Sequence, residues 1–437
     1  MRLRYIACFL MAVSQLSFAA DPTPPKPLMK DFMGVCGHTI QFKPDLYSPV
    51  CHVVRDYHPV EWDLGDDSAF KTTFPMARNQ VDWKGVYGSW KKAGYDTDVS
   101  LMFESLKVEK WKDLVKDTYA YGADFARYFG PSGQNLVTSA EIGNEPGSFD
   151  DVKYRTLFEN MAKGLRDGDP KIQIATCNVT AGKSHAYAKS LTCFEGLEKL
   201  FDIINIHSYA QVEGWPTWKR SFPEDPAIPY LKDINDAIAW RDKHAPGKQI
   251  WVTEFGWDAS TKPAPKEGDF KKWEGNTESQ QAQYLVRSFL VFAKMPVDRA
   301  YIYFFDDNDE PQVHGSSGLT RKFQPKKSFH AVAHLQATLG GYRFSKVIQE
   351  TPGELYAYEF ANGENPERKI WALWSPTGSE RHADATLPLD AELKVAKSEL
   401  MPQAAGGGEK VEVKEANGKL TVQVAESPVY VWLEPKK

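Results

Sequence analysis

Eight short apolar runs, each followed by a longer segment, constrain the fold of this 437-residue chain more than any other feature. They are "FMGVCGH", "CHVVRDY", "TDVSLMF", "LVTSAEIGNE", "IQIATCN", "FDIINIHSY", "QIWVTEFG" and "RAYIYFFD", spread between about residues 31 and 343. Apolar residues fill both faces of these runs, as in the buried strands of a parallel sheet joined by crossovers. Segments of helical period lie between and after them, among them "VDWKGVYGSWKKAG", "EKWKDLVKDTYAYGADFARYF" and "PYLKDINDAIAWRDKH". "TESQQAQYLVRSFLVFAK" opens with a capping box, Thr277 to Gln280, and sets Leu285, Phe289 and Phe292 on one face. The first connection, "TIQFKPDLYSPV", supports only a turn or two of helix. Eight is the number of parallel strands that closes a (β/α)8 TIM barrel, the α/β fold expected over 31–343. An open doubly wound sheet is the alternative. It usually carries a glycine-rich phosphate turn after its first strand, and "GVCGHTIQF" is not one.

Beyond residue 343 the period falls to two. "ELYAYEF", "RKIWALW", "ADATLPL", "LKVAKSEL", "EKVEVKE", "KLTVQV" and "PVYVWLE" are separated by turn residues, and Asn417-Gly418 is a hairpin signal. The expectation for 344–437 is an antiparallel β-sandwich. Its few convergent polar residues favour bracing the barrel over binding carbohydrate.

The N-terminus predicts export. Arg2 and Arg4 precede an apolar stretch, and Ser17-Phe18-Ala19 suits cleavage, so 1–20 reads as a signal peptide and 21–30 as a Pro-rich leader. The expected location is secreted or periplasmic. No later apolar run reaches the roughly 18 to 20 residues of a membrane span. Export permits disulfides, and Cys36–Cys51 with Cys177–Cys193 is the sequence-local pairing; buried free thiols are the alternative. A net charge of -5 without a basic cluster argues against nucleic acid as a partner. Neither C-x-x-C nor H-E-x-x-H occurs, and His330 and His334 have no third ligand in view, so neither metal nor cofactor is expected.

In a barrel of this kind the chemistry collects at the C-terminal ends of the strands. Two of those ends carry a Glu outermost: Glu145 on the fourth strand and Glu254 on the seventh. Across one barrel mouth the two carboxyls can approach within a few ångströms. Such a pair is what glycoside hydrolysis with retention requires, one as nucleophile and the other as acid and then base. The nucleophile must stay ionised, and Arg55 and Tyr209 are placed to donate to it. The rival assignment of Glu145, a helix-initiating acid ahead of Asp150, loses ground because Glu254 stands at the matching strand end.

"GNEP" on strand four, "IHSY" on strand six and "TEFGW" on strand seven resemble the clan A glycoside hydrolases, retaining (β/α)8-barrel enzymes. "GSSGLTRKFQPKKSFHAVAHLQATLGG" is similar to the eighth turn of several of their families. The family 39 type stands nearest, with family 5 and the β-1,3-glucan-cleaving members close behind. The resemblance covers roughly 31–343 and implies Glu145 as acid/base and Glu254 as nucleophile. It further implies Asn144 on the sugar 2-hydroxyl, Arg55 and Tyr209 holding Glu254, His207 on the same rim and Trp257 stacked on a sugar. Many clan members carry a Trp at the end of strand eight, where "YFFDDND" offers Phe304 and Phe305. The acidic cluster Asp306, Asp307 and Asp309 then binds hydroxyls, a cation or nothing. Trp215, Trp218 and Trp273, in two long loops, are expected to wall the subsites. The implied partner is a polysaccharide or oligosaccharide. A β-glucan comes first, with xylan, mannan or a β-xyloside as alternatives and a non-catalytic carbohydrate-binding barrel as the rival.

Overall fold

The computed structural model describes residues 25–436 apart from Phe70, Ser148 and Thr377. The proposed signal peptide and the first four residues of the leader lie outside the described residues. Eight parallel strands form a closed barrel: β1 (Met33–Cys36), β2 (Val53–Pro59), β3 (Asp96–Met102), β4 (Ser139–Ile142), β5 (Gln173–Thr180), β6 (Ile203–His207), β7 (Gln249–Phe255) and β8 (Arg299–Ile302). Closure comes from β1 pairing with β8, Met33 opposite Ala300 and Val35 opposite Ile302. Each of the eight apolar runs supplies one strand.

Period-two alternation divides each strand between two apolar layers. Cys36, Val53, Tyr57, Ala175, Ile203, Trp251 and Tyr301 form the cluster inside the barrel. Val35, Val54, Val99, Ile204, Ile250 and Ile302 pack outward against the helices. The same alternation sorts the polar end of β2. Asp56 and His58 belong to a network with Tyr87 and Asp63 behind the wall, whereas Arg55 and Tyr57 reach the mouth.

The main helices are α1 (Trp83–Lys92), α2 (Leu114–Phe129), α3 (Asp151–Gly168), α4 (Tyr230–His244), α5 (Glu278–Lys294) and α6 (Lys327–Leu339). The first connection holds a 3-10 turn, Thr39–Gln41, and one helical turn, Pro44–Tyr47. The capping box of α5 forms as the sequence predicts, with Gln280 N–H donating to Thr277 Oγ1 at 3.1 Å and Thr277 N–H to Gln280 Oε1 at 2.9 Å. Its exposure does not follow the predicted single face. Every residue from Gln281 to Ala293 is buried, because α6 and the C-terminal sheets pack on the sides turned from the barrel.

Those sheets are antiparallel. One has five strands, in the order β9 (Tyr342–Thr351), β10 (Leu355–Asn362), β11 (Lys369–Trp374), β16 (Val429–Pro435) and β13 (Leu393–Leu400). The other places β15 (Lys419–Val424) between β12 (Ala383–Pro388) and β14 (Val413–Ala416). Trp371 and Leu373 of the first sheet share a buried cluster with Leu387 and Val422 of the second. Asn417 and Gly418, at φ 52° and 70°, make the predicted two-residue hairpin. Strand β9 has no counterpart among the predicted strands: register shifts between Phe344 and Lys346 and between Val347 and Gln349 break its alternation.

A buried ion cluster ties the sheets to the barrel. Arg287 of α5 donates through Nε and Nη2 to Glu224 at 3.0 and 2.5 Å, and through Nη1 to Glu426. Trp374 Nε1 donates to Glu224 Oε1 at 2.7 Å. His334 of α6 faces Glu399 of β13 at 3.4 Å, which gives it a bracing contact rather than a metal-ligating one.

Among the described residues the four thiols, Cys36, Cys51, Cys177 and Cys193, are unpaired and buried, which corrects the expected local pairing. Cys36 belongs to the interior cluster and Cys51 to the outer layer, so the wall of strands separates them. Cys177 and Cys193 share the outer layer, but their Sγ atoms meet Asn178 O at 3.3 Å and Ser184 Oγ at 4.0 Å.

Candidate active site

Glu145 sits just past β4, at a turn rather than in a helix. Gly143 takes φ 90°, a left-handed conformation that favours glycine, and swings the chain out of the sheet. Asn144 N–H then donates to Glu104 Oε1 at 2.5 Å, and Asn178 N–H donates to Asn144 O at 3.0 Å. The following helix α3 starts only at Asp151 and is capped by Asp150, so Glu145 is not its N-terminal acid. With its side chain 28% exposed, Glu145 faces the cleft.

Glu254 lies deeper, 7% exposed, at the end of β7. Both of its oxygens are engaged. Oε1 accepts from Tyr57 OH at 2.5 Å and Arg55 Nη1 at 3.1 Å, and Oε2 accepts from Tyr209 OH at 2.7 Å. Burial alone would push this carboxyl up. The neighbouring His207 and Arg55 charges and the two tyrosine donors outweigh it and hold Glu254 at about 2.

His207 stands between the two acids. Its Nδ1 is 2.9 Å from Glu145 Oε1 and 3.6 Å from Glu254 Oε2. One oxygen of each carboxylate and this ring nitrogen all lie within 4.8 Å of one another. The three atoms are close enough to hold a metal ion. Glu254, however, is already saturated by a guanidinium and two hydroxyl groups, and a dication there would have to displace Arg55.

Two residues that sequence reasoning missed complete the set. Glu141 of β4 binds Arg55 through both oxygens, Nε to Oε1 at 2.9 Å and Nη2 to Oε2 at 2.6 Å, and so fixes the guanidinium plane. Its signal was the i, i+4 spacing to Glu145, two inward positions up one strand and then one turn. Tyr57, two residues after Arg55, was legible from the same alternation. Arg55 Nη2 also donates to Asn144 Oδ1 at 3.0 Å, so Arg55, Asn144, His207, Tyr209, Glu145 and Glu254 lie together at the barrel mouth.

Trp257 does not join them. Its ring is fully buried against Tyr230, Phe255 and Tyr284 and donates Nε1–H to Ser221 O at 2.7 Å, leaving no face for a sugar. At the end of β8, Phe305 also belongs to the core, and Tyr303, overlooked in the sequence, stands beside Tyr57 with ring centroids 6.2 Å apart. Asp307 is bound by Arg321 at 3.2 Å and Lys326 at 2.8 Å. Asp306 accepts from Thr320 at 2.6 Å, and Asp309 from Thr261 N–H at 2.8 Å. The acidic cluster is thus the scaffold of the loop after β8.

A cavity of about 610 Å³ opens beside Glu145, His207 and Tyr209, with Trp218, Arg220 and His314 in its wall. A second of similar volume, about 610 Å³, is lined by Lys43, Phe304, Asp306 and Phe323 and shares His314 with the first. Trp273 is buried and Trp215 is 69% exposed, so of the three loop tryptophans Trp218 is the one in the cavity wall.

Burial pushes Glu104 up to about 7. A carboxyl group in an unfolded chain titrates near 4.3. Between the two values the folded state binds the extra proton, so stability falls as pH rises from about 4.3 through 7. Urea denaturation at pH 5 and pH 8 will show this loss, and Glu104→Gln will flatten it. An unchanged slope in the variant would assign the pH dependence elsewhere.

No protein-family profile and no curated protein matches the chain by sequence. Solved structures do match in fold. A family 39 glycoside hydrolase from the gut symbiont Bacteroides cellulosilyticus WH2 superposes with a TM-score of 0.66 at 19% identity, covering 94% of this chain and 83% of that one. A glucosidase from Croceicoccus marinus gives 0.63 at 12% identity, covering 95% and 98%. CelM2, a bifunctional glucanase-xylanase from a metagenome library, gives 0.63 at 10% identity, covering 94% and 97%.

Proposed function

We propose that this chain, which has the barrel fold of the clan A glycoside hydrolases, is an exported retaining β-glycosidase. The observation that carries the proposal is the approach of Glu145 and Glu254, with oxygens within 4.8 Å across the barrel mouth. Retaining enzymes hold their carboxyl groups about 5–5.5 Å apart, and inverting ones about 6.5–9.5 Å, to admit a water. A catalytically silent sugar-binding barrel has no need of two carboxyl groups at this separation.

In this reading Glu254 attacks the anomeric carbon while Glu145 gives its proton to the departing oxygen. Glu145 then takes a proton from water, which hydrolyses the glycosyl–Glu254 ester. Arg55, Tyr57 and Tyr209 keep Glu254 anionic and aimed. With Asn144 Oδ1 engaged by Arg55, the amide NH2 is the group left to donate to the 2-hydroxyl. No cofactor enters any step.

For the substrate we favour a β-glucan over xylan, mannan or a β-xyloside. Support comes from the glucosidase and the glucanase-xylanase that share the fold, and from two cavities of a size that takes oligosaccharide units. We read 1–20 as the export signal, 31–343 as the catalytic barrel and 344–437 as a β-sandwich that braces it. Proton NMR of the first product formed from an aryl β-glycoside tests the mechanism. The β-anomer is expected to appear first; initial α-anomer would replace double displacement by inversion.

A further inference from the structure

Five rings stand around Glu254. Tyr57 and Tyr209 donate to its two oxygens. His38 packs on Tyr57 with centroids 4.6 Å apart and on Tyr303 at 5.3 Å. His314 packs on Tyr303 at 5.0 Å and on Tyr209 at 4.9 Å. The contacts therefore run from Tyr57 through His38, Tyr303 and His314 to Tyr209, beginning and ending at the nucleophile.

The two tyrosine hydroxyls at its ends are employed; the histidine nitrogens between them are not. His38 Nε2 and His314 Nδ1 are buried without a hydrogen-bond partner. A buried polar atom left unpaired is costly, and in a cleft it calls for a ligand atom. Both residues are half-buried overall, and His314 lines both cavities. Both residues also hold left-handed backbone, φ 44° and 62°, a conformation that gathers at ligand sites in residues other than glycine. Burial brings both imidazoles down to about 4, so near neutral pH each is an uncharged hydrogen-bonding group.

We infer that His38 and His314 bind hydroxyl groups of the sugar at the reactive centre and select an uncharged glycosyl unit there. The inference rests on the glycosidase reading. A uronate carboxylate in this space would stand beside anionic Glu254. The guanidinium groups nearby already face carboxylates, Arg55 with Glu141 and Glu254, and Arg220 with Asp258 at 3.3 Å. Neutral imidazoles instead match hydroxyls, which both donate and accept.

The test uses aryl β-glycosides of glucose, xylose, mannose and glucuronic acid, followed by monodeoxy analogues of the best substrate. His38→Ala and His314→Ala should each lower kcat/KM about 5- to 150-fold, the scale of one lost hydrogen bond in a buried site. One monodeoxy analogue should be penalised in the wild type and not in the matching variant, the signature of a direct pair. Asn variants, which keep a donor and an acceptor, should recover part of the loss and carry the test if an Ala variant fails to fold. Unchanged kcat/KM in both variants, equal deoxy penalties, or glucuronide as the best substrate would overturn the subsite and leave the glycosidase standing. No turnover of any glycoside by the wild type would overturn the glycosidase itself, and the subsite with it.

Discussion

Replacing Glu254 with Gln will lower turnover of an activated aryl β-glycoside by roughly 10⁴- to 10⁶-fold, the scale at which a covalent nucleophile is lost. Gln is close in shape, and Arg55 keeps both bonds to Glu141, so the site should stay assembled. Glu145→Ala will behave differently. With a good leaving group the first step needs little acid, so the glycosyl-enzyme builds up and the second step becomes slow. Azide, which needs no base, should then restore turnover and yield the β-glycosyl azide. The pH profile supplies a further check. Because Glu254 is held at about 2, the fall in kcat/KM due to its protonation should begin only as pH approaches that value. Tyr57→Phe and Tyr209→Phe each remove a donor to the anion and should move the limb to higher pH. Wild-type rates in Glu254→Gln would end the mechanism.

Arg287→Met will destabilise the fold by about 3–5 kcal/mol, measured by urea denaturation, because it leaves Glu224 and Glu426 buried beside each other without their cation. The charge, more than the lost packing, is responsible. Adding Glu224→Gln and Glu426→Gln to Arg287→Met should therefore recover much of the loss. The introduced amides need no counter-charge, and the one at position 224 can still accept from Trp374. If the triple variant is no more stable than the single one, packing rather than ion pairing governs this junction. Arg287 bonds to Glu224 and Glu426 and to neither acid of the carboxylate pair, so kcat of the folded fraction should be unaffected.

The site was largely legible because strand ends have fixed directions. Once β4 and β7 were read as opening on one barrel mouth, Glu145 and Glu254 could share it, and Arg55 was in view as a residue at the end of β2. The same rule, applied fully, would have found Tyr57 and Glu141, each two or four positions from a residue already chosen. Trp257 misled because it lies past the strand, where direction depends on the loop, and the loop turns its ring inward against Tyr230 and Tyr284. Asp306, Asp307 and Asp309 misled for the converse reason: their partners Thr320, Arg321, Lys326 and Thr261 lie more than ten residues away along the chain, and no local pattern announces them.

The order of strands and helices, the α5 cap, the Asn417-Gly418 hairpin and the carboxylate pair were written into the sequence, since periodicity, capping and turn chemistry act over a few residues. Long-range packing alone decided the rest. It buried α5 on all sides and so made Arg287 an internal cation. It put the strand wall between Cys36 and Cys51. It also drew His38, after the first strand, and His314, after the last, around one carboxylate. Contacts of that range depend on where whole elements come to rest against one another, which no short stretch of sequence encodes.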